Sequence, residues 1–289
     1  MRNTIYIILT ALIFFCKVFA EDKVESHNII DKIKSGITIT YENIIVVGNL
    51  DFTQLYDKKA IIQEEEKSFT EKITSYFINI NISGNKTIQC NIEVPVEFIG
   101  CTFQGQVIGW INDEKNGISY NAVFQDKAKF SKCIFKEEVL FKYSEFNGKV
   151  DFSENNYKKA VLFKYTNFSS SVNFEGSVFT HEANFKYTTF PKETTFIGSQ
   201  FKRNANFKYT DFDDSVDFSN TSFNEEANFK YTKFPKGVSF ENSVFSALSN
   251  FKYTEFSNPL NLEGTLFKGS TDFKYTTLDG EEFINPTSQ

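Results

Sequence analysis

Large apolar residues recur along the chain with a period that fits neither a helix nor a long strand. From Phe130 to Phe273 such a residue appears every 11 positions, and a second series, from Phe135 to Leu278, follows the first by five. A smaller residue precedes most members by two positions, mainly Ala or Val in the first series and Thr or Ser in the second. The chain therefore alternates a five-residue unit with a six-residue unit.

The spacing within each unit predicts short strands that face inward. Residues two positions apart lie on the same face of an extended segment, so the small residue and the Phe share one face. Periods of five and six do not match the 3.6 residues of a helical turn, and Phe and Thr favour strands. The two or three residues after the Phe are polar and turn-prone, with Gly, Asn, Ser and Pro frequent in the six-residue units. We therefore predict an all-β solenoid whose chain turns a corner at every unit.

A repeated triplet gives the length of one coil of this solenoid. Phe-Lys-Tyr occurs seven times at intervals of 22 residues, starting at Phe141, Phe163, Phe185, Phe207, Phe229, Phe251 and Phe273. Two five-residue and two six-residue units add up to 22, which predicts four sides per coil. Each coil would bury four large side chains, and each buried Phe contributes roughly 1.5–3 kcal/mol.

The repeated units resemble the pentapeptide-repeat family, whose consensus is roughly Ala-Asp/Asn-Leu-x-x. The clearest matches are Ala183-Asn184-Phe185, Ala205-Asn206-Phe207 and Ala227-Asn228-Phe229. The resemblance covers about Val96 to Leu278 and implies a right-handed, four-sided β-helix. Phe stands where Leu is commoner, and every second unit carries an extra residue, which we expect to bulge at a corner.

The first 20 residues read as a signal peptide. Arg2 is followed by the apolar run Ile5–Phe15 and then by Val18-Phe19-Ala20, which predicts cleavage after Ala20 and a secreted or cell-envelope protein. An uncleaved membrane anchor is the alternative. The run is short for a bilayer span of about 20 residues, and Lys17 interrupts it. Export is therefore the prediction that we carry forward.

Changes in the pattern divide the rest of the chain. We predict an N-terminal capping and irregular β region over 21–95, the pentapeptide-repeat β-helix over 96–280 and a C-terminal tail over 281–289. In the capping region Val24–Lys34 favours a short helix that ends near Gly36, and Leu50-Asp51-Phe52 is a candidate first coil. Such a segment would cover an open end of the solenoid, because exposed strand edges recruit other chains.

Composition and charge exclude several classes of protein. The net charge of −6 and the pI near 5.2 argue against a nucleic-acid binder, and two His leave little for a His-based metal site or triad. The acidic residues are scattered, so no catalytic pair can be nominated. Cys90, Cys101 and Cys133 take inward positions of small residues in the repeat, which predicts free core thiols. We therefore expect no enzyme, no metal and no cofactor.

The outward positions of the Phe-Lys-Tyr triplets form the one candidate site, which we call the Lys/Tyr ladder. Stacked coils would place its residues in two adjacent rows. It consists of Lys142, Tyr143, Lys164, Tyr165, Lys186, Tyr187, Lys208, Tyr209, Lys230, Tyr231, Lys252, Tyr253, Lys274 and Tyr275. Such a surface suits a sugar polymer, an anionic wall component or a partner protein. The alternative is that Tyr packs over a corner while Lys maintains solubility.

These features favour an exported, noncatalytic scaffold or binding surface, whose partner is a cell-surface polymer or another protein. The family resemblance raises a second hypothesis, since some pentapeptide-repeat proteins mimic duplex DNA and modulate type II topoisomerases. That role requires a cytoplasmic protein with a strongly acidic face. The signal peptide and the ladder lysines both oppose it, and no nucleic-acid partner is expected.

Overall fold

The computed structural model describes residues 22–56 and 86–284, so the predicted signal peptide lies outside the described residues. In these two ranges the chain forms short strands that belong to four sheets of mainly parallel strands. We number the sheets in the order in which the regular part of the chain visits them. From Ala128 onward, strands join sheets 1, 2, 3 and 4 in turn and then sheet 1 again. The predicted all-β architecture of stacked parallel strands is confirmed.

The strands of each sheet, in the order in which they pair, are as follows. Sheet 1 consists of Ile39–Glu42, Val96–Ile99, Ala128–Ser131, Val150–Asp151, Val172–Asn173, Thr194–Thr195, Val216–Asp217, Val238–Ser239 and Leu260–Asn261. Sheet 2 consists of Lys23–Glu25, Ile45–Val47, Thr102–Phe103, Ile134–Phe135, Asn156–Tyr157, Val178–Phe179, Gln200–Phe201, Ser222–Phe223, Val244–Phe245 and Leu266–Phe267.

Sheets 3 and 4 continue the same arrangement. Sheet 3 consists of Leu50–Asp51, Val107–Ile108, Val139–Leu140, Val161–Leu162, Ala183–Asn184, Ala205–Asn206, Ala227–Asn228, Ser249–Asn250 and Thr271–Asp272. Sheet 4 consists of Lys86–Ile92, Ile118–Phe124, Glu145–Phe146, Asn167–Phe168, Thr189–Phe190, Asp211–Phe212, Lys233–Phe234, Glu255–Phe256, Thr277–Leu278 and Glu281–Glu282. Trp110–Asp113 also joins sheet 4, as an antiparallel partner of Ile118–Phe124.

Each residue of the regular region pairs with the residue 22 positions further along. Ala183 pairs with Ala205, and Ala205 pairs with Ala227. The Phe185 N–H donates to the Asn206 carbonyl of the next coil at 2.8 Å. This step equals the period of the sequence, so equivalent side chains of successive coils lie directly above one another.

Columns of Phe rings fill the interior. Within one column Phe185 and Phe207 are 4.9 Å apart at 3°, while rings of neighbouring columns meet edge to face, as Phe196 and Phe207 do at 5.4 Å and 88°. Both arrangements are favourable for aromatic pairs, each contributing about 0.5–1.5 kcal/mol beyond burial. The interior is therefore an ordered aromatic lattice rather than a generic apolar core.

The small residues of the six-residue units form a row of buried hydrogen bonds between successive coils. Thr188, Thr210 and Thr232 each donate their hydroxyl to the carbonyl of the Phe 25 residues earlier, at 2.6–2.8 Å. The acceptor belongs to the previous coil, so these bonds tie the coils together along the axis. A buried hydroxyl without such a partner would cost about 1–3 kcal/mol, which explains why Thr and Ser dominate this position.

The three described cysteines occupy the same place as these Thr and Ser residues. They are buried and form no disulfide. Each Sγ lies close to a backbone carbonyl oxygen of an earlier coil. The distances are 3.2 Å from Cys90 to Thr53, 3.5 Å from Cys101 to Tyr41 and 3.4 Å from Cys133 to Phe98. Burial raises the pKa of the Cys90 thiol to about 12, and the nearby Asp51 carboxylate adds to the effect. The prediction of free core thiols is confirmed.

The N-terminal segment combines a helix with early strands of the same sheets. The helix spans Ser26–Lys34, buries Ile29, Ile30 and Ile33, and is followed by Gly36 at φ +72°. Ile39–Glu42 pairs in parallel with Val96–Ile99, so the sheets extend upstream of Val96. The described ranges contain no helix with the length and apolar character of a membrane span.

The chain folds back on itself at its C-terminal end. Glu281–Glu282 pairs antiparallel with Thr277–Leu278, and the ring of Phe283 lies 5.1 Å from that of Phe273. The first residues of the predicted tail therefore lie against the last coil.

Candidate binding site

The residues of the Lys/Tyr ladder lie together at the corner between sheets 3 and 4. Each triplet follows a strand of sheet 3, and the next strand along the chain belongs to sheet 4. Backbone hydrogen bonds join the corners along the axis; for example, the Tyr187 N–H donates to the Lys208 carbonyl at 3.2 Å. The structure therefore brings all seven predicted pairs into one straight surface.

Side chains of the preceding strands hold this corner in shape. The Oδ1 atoms of Asn184, Asn206, Asn228 and Asn250 accept the N–H of the ladder lysine two residues later, at 3.1–3.2 Å. Asp272 does the same for Lys274 at 3.0 Å. Such bonds are typical of Asn and Asp at turns. They explain the Asn or Asp at this position in five of the seven coils, whereas Leu140 and Leu162 occupy it in the first two.

The tyrosines adopt a backbone conformation that is unfavourable for them. Tyr143, Tyr165, Tyr187, Tyr209, Tyr231, Tyr253 and Tyr275 all have φ between +57° and +61°. The corner between sheets 1 and 2 has the same left-handed residue, but there the chain mostly uses Gly or Asn, as at Gly198 and Asn220. Bulky residues rarely adopt positive φ. Corner geometry therefore does not explain the seven tyrosines, and their side chains must.

The seven phenol rings form a parallel stack. Successive centroids from Tyr143 to Tyr253 are 4.7–4.8 Å apart, with ring planes within 3° of each other. Tyr275 continues the stack at 4.8 Å and 20° and is 57% exposed. Because the faces of the inner rings cover one another, the column offers ring edges to solvent along its length. Open faces occur only at its two ends.

The ladder lysines pack beside this stack without acidic partners. Lys164, Lys186 and Lys230 place Nζ at 4.8–5.0 Å from the centroid of the next tyrosine, within reach of a cation–π contact. None of the seven forms an ion pair within 4 Å with any residue in 22–56 or 86–284. Burial, followed by the charge of Lys186 and Lys230, lowers the pKa of Lys208. The ladder is thus a row of positive charges, none of which forms an ion pair within 4 Å in the described ranges.

A hairpin stands at the N-terminal end of the column. Trp110–Asp113 pairs antiparallel with Ile118–Asn121, and the ring of Trp110 lies 5.9 Å from that of Tyr143. The Nζ of Lys142 is 4.0 Å from the Trp110 centroid. Periodicity did not nominate Trp110, because the hairpin interrupts the repeat. The feature of the sequence that could have pointed to Trp110 is that it is the one Trp of the chain and stands next to a polar loop.

Metal-ligating and acidic residues do not form a second candidate site in the described part of the chain. No group of three or more His, Cys, Asp or Glu is arranged to hold a metal ion there. Asp211 and Glu255, on the sheet 4 strands that follow the ladder, lie in single file with Lys233 between them rather than converging on one point.

Comparison with known proteins identifies the repeat. A family model described as pentapeptide repeats, comprising nine copies, matches residues 163–211 and 207–254. No curated protein and no solved structure matches the chain. The matched segment contains the central rungs of the Lys/Tyr ladder.

Proposed function

Since the chain is a pentapeptide-repeat protein over residues 163–254, we propose that it is an exported, noncatalytic scaffold that binds an anionic polymer along its Lys/Tyr ladder. The four sheets form the sides of a right-handed coil in this proposal, and the helix Ser26–Lys34 covers its first end. The ligand lies parallel to the coil axis. Binding involves no reaction, so the site needs positioned charge rather than an acid–base pair.

The uncompensated row of lysines carries the proposal. The protein as a whole has a net charge of −6, yet seven ammonium groups share one corner with no ion-pair partner within 4 Å among the described residues. Two like charges about 4.8 Å apart in water repel by just under about 1 kcal/mol before screening by salt. A bound row of carboxylate, sulfate or phosphate groups would remove that repulsion.

The tyrosine stack gives the ladder its stiffness and spacing. Each inner ring is held on both sides at about 4.8 Å. Backbone bonds fix the corners, and from Lys186 to Lys274 an Asn or Asp side chain adds a further bond. The lysines therefore present charge at a constant interval on an ordered support. A site that is already ordered loses less conformational entropy on binding.

The ladder is tested with three polymers and two charge-matched variants. We expect polygalacturonate and poly-L-glutamate to bind the mature protein and uncharged dextran not to bind. The variant K186Q/K208Q/K230Q should weaken binding about tenfold, since each exposed charge contact contributes about 0.2–1 kcal/mol. The control K136Q/K158Q/K202Q removes the same charge from the corner between sheets 2 and 3 and should change affinity little.

An equal loss of affinity in the two variants would mean that binding depends on the overall charge of the protein and not on the ladder. Unchanged binding in both, at low and at moderate salt, would exclude the ladder as the binding surface. Circular dichroism of both variants establishes that each retains the fold, so that a loss of binding reports on the surface.

Export is tested by fractionating the native host and measuring the N-terminus of the protein. We expect a chain that starts at Glu21 in the envelope or the medium. An uncleaved chain in the membrane fraction would keep the outward-facing role and make residues 1–20 an anchor. An uncleaved cytosolic chain would contradict export and make a topoisomerase supercoiling assay the next experiment.

A further inference from the structure

A pocket at the Trp110 end of the ladder has a composition suited to a sugar ring. Its volume is about 470 Å³, and it lies between the hairpin and the first rung of the column. Its lining includes Trp110, Ser119, Asn121, Lys142 and Tyr143, together with Glu114. Small-molecule sites typically combine a few polar groups with aromatic surface in a cleft of this size.

Two polar atoms of this lining are buried without a hydrogen-bond partner. They are Nε1 of Trp110, which can only donate, and Oδ1 of Asn121, which can only accept. Only two other side-chain atoms in the described ranges share that status, on Asn156 and Ser249. Buried polar groups are rarely left unpaired, so their coincidence in one pocket calls for an explanation. A sugar hydroxyl both donates and accepts, so its chemistry complements a donor-only atom and an acceptor-only atom alike.

The aromatic surface of the pocket differs from that of the column. Trp110 is inclined by 50° to Tyr143 instead of continuing the parallel stack. The stack therefore ends at Tyr143, and the two rings form an angled aromatic corner. The C–H face of a pyranose carries slightly positive hydrogens, which complement the negative faces of such rings.

The charges of the pocket are balanced, unlike those of the ladder. It contains one ammonium group, from Lys142, and one carboxylate, from Glu114, whereas the ladder continues with lysines alone. The pocket is thus suited to hydroxyl groups, and the rungs beyond it are suited to anionic groups. A ligand that extends across both must carry sugar rings and negative charge together.

We propose that the pocket binds one pyranose of an acidic polysaccharide whose anionic groups extend along the ladder. The inference rests on the proposed function, because the same polymer contacts both surfaces, and it narrows the polymer to a carbohydrate. An acidic polypeptide has no ring of this kind for the pocket and would contact the ladder alone.

The one Trp of the chain makes this pocket directly observable. Trp fluorescence of the mature protein is followed during titration with tetragalacturonate and, separately, with poly-L-glutamate. We expect a saturable change with the sugar and a clearly smaller one with the polypeptide at concentrations where the polypeptide is bound, because the polypeptide reaches Trp110 only through the adjacent Lys142. An equal response to both ligands, or a response to neither, would overturn the inference.

A variant outside the ladder separates the two proposals. Asn121→Ala should weaken tetragalacturonate binding about fivefold to tenfold and leave poly-L-glutamate binding unchanged, since it removes one acceptor from the pocket. The control Asn224→Ala changes an exposed amide at the corner between sheets 2 and 3 and should have no effect.

The result of each variant has a distinct meaning. If Asn121→Ala leaves sugar binding intact while K186Q/K208Q/K230Q weakens it, the pocket is excluded and the ladder stands. If the triple variant has no effect on either ligand, the proposed function itself fails. Near-ultraviolet circular dichroism of Asn121→Ala distinguishes a lost contact from a disturbed hairpin.

Discussion

At the scale of single residues, the ladder tyrosines show two opposing terms. A left-handed backbone costs an ordinary residue roughly 1–2 kcal/mol, whereas Gly at the equivalent corner avoids that cost. Each stacked ring contact contributes about 0.5–1.5 kcal/mol, and an inner ring makes two. The stack therefore compensates the backbone term in the middle of the column more fully than at its end.

This balance predicts a difference between two equivalent substitutions. Tyr209→Asn removes an inner ring with two neighbours, while Tyr275→Asn removes the last ring, which stacks on Tyr253 alone. We expect the first to lower the free energy of unfolding by about 1 kcal/mol more than the second, because one additional contact is lost. Urea denaturation measures both. Equal effects would mean that the stack adds nothing beyond burial.

The buried thiol of Cys90 predicts a dependence of stability on pH. An ordinary thiol has a pKa of about 8.5, whereas burial raises that of Cys90 to about 12. Between these values the unfolded chain loses the proton and the folded chain keeps it, so stability falls as pH rises.

The expected result concerns the difference between wild type and Cys90→Ala. That difference in unfolding free energy should stay nearly constant below about pH 8 and narrow as the pH rises from there to about 10, since the alanine variant lacks this titration. Urea midpoints at a series of pH values give the answer. A difference that stays constant would show that Cys90 does not titrate in this range.

At the scale of elements, the sequence predicts the regular part of the molecule well. The spacing of small residue and Phe identifies the buried positions, and the interval between Phe-Lys-Tyr triplets equals the observed pairing step. The buried positions and the pairing step both follow from the 22-residue period of the sequence, because each coil repeats the pattern of the coil before it. The hairpin at Trp110–Asp113 was not predicted, because its antiparallel pairing replaces the repeat at a single place.

The site was predicted only in part, for a related reason. Register alone brings the lysines and tyrosines together, so their position at one corner follows from sequence. The left-handed backbone of the tyrosines does not, because residue type there suggests a strand rather than a turn. The sequence did not predict the pocket either. Trp110 lies on one strand of the hairpin and Asn121 on the other, so the two residues meet only in the folded chain.

The hairpin depends on close packing at Gly109. A Cβ atom there would lie 2.5 Å from Cδ1 of Phe141 and 2.6 Å from Oγ of Ser144. We expect Gly109→Ala to lower stability by about 1–3 kcal/mol and to change Trp110 fluorescence, because the adjacent strand must shift.

A second glycine supplies the control for that change. Gly198 has no neighbour within 4 Å of an added Cβ but has φ +66°, so Gly198→Ala carries a backbone cost without overpacking. Gly198→Ala should lower the free energy of unfolding by about 1 kcal/mol and leave Trp110 fluorescence unchanged. If Gly109→Ala shows the same small loss of stability and unchanged fluorescence, the close packing around Gly109 does not determine the position of the hairpin.

At the scale of the whole molecule, the ladder has a defined length. From Tyr143 to Tyr275 the stack extends about 29 Å at about 4.8 Å per coil. Under the proposed function, a ligand shorter than this would contact some of the rungs, and a longer one would contact all of them.

Affinity should therefore depend on ligand length up to that limit. We expect the affinity for oligogalacturonates to rise with chain length until the oligomer spans about 29 Å, and to remain constant per oligomer beyond it. Isothermal titration calorimetry over a series of lengths measures this. A plateau already reached at two sugar units would confine binding to the pocket.

The constant pairing step has a consequence for how such a protein can change. Because every partner is 22 residues away, gaining or losing 22 consecutive codons leaves all remaining pairs matched. Each such event adds or removes one rung without altering the chemistry of the others, since a coil contacts only its neighbours. Tandem duplication within the gene thus adjusts the length of the proposed binding surface in steps of about 4.8 Å, without requiring any new side chain.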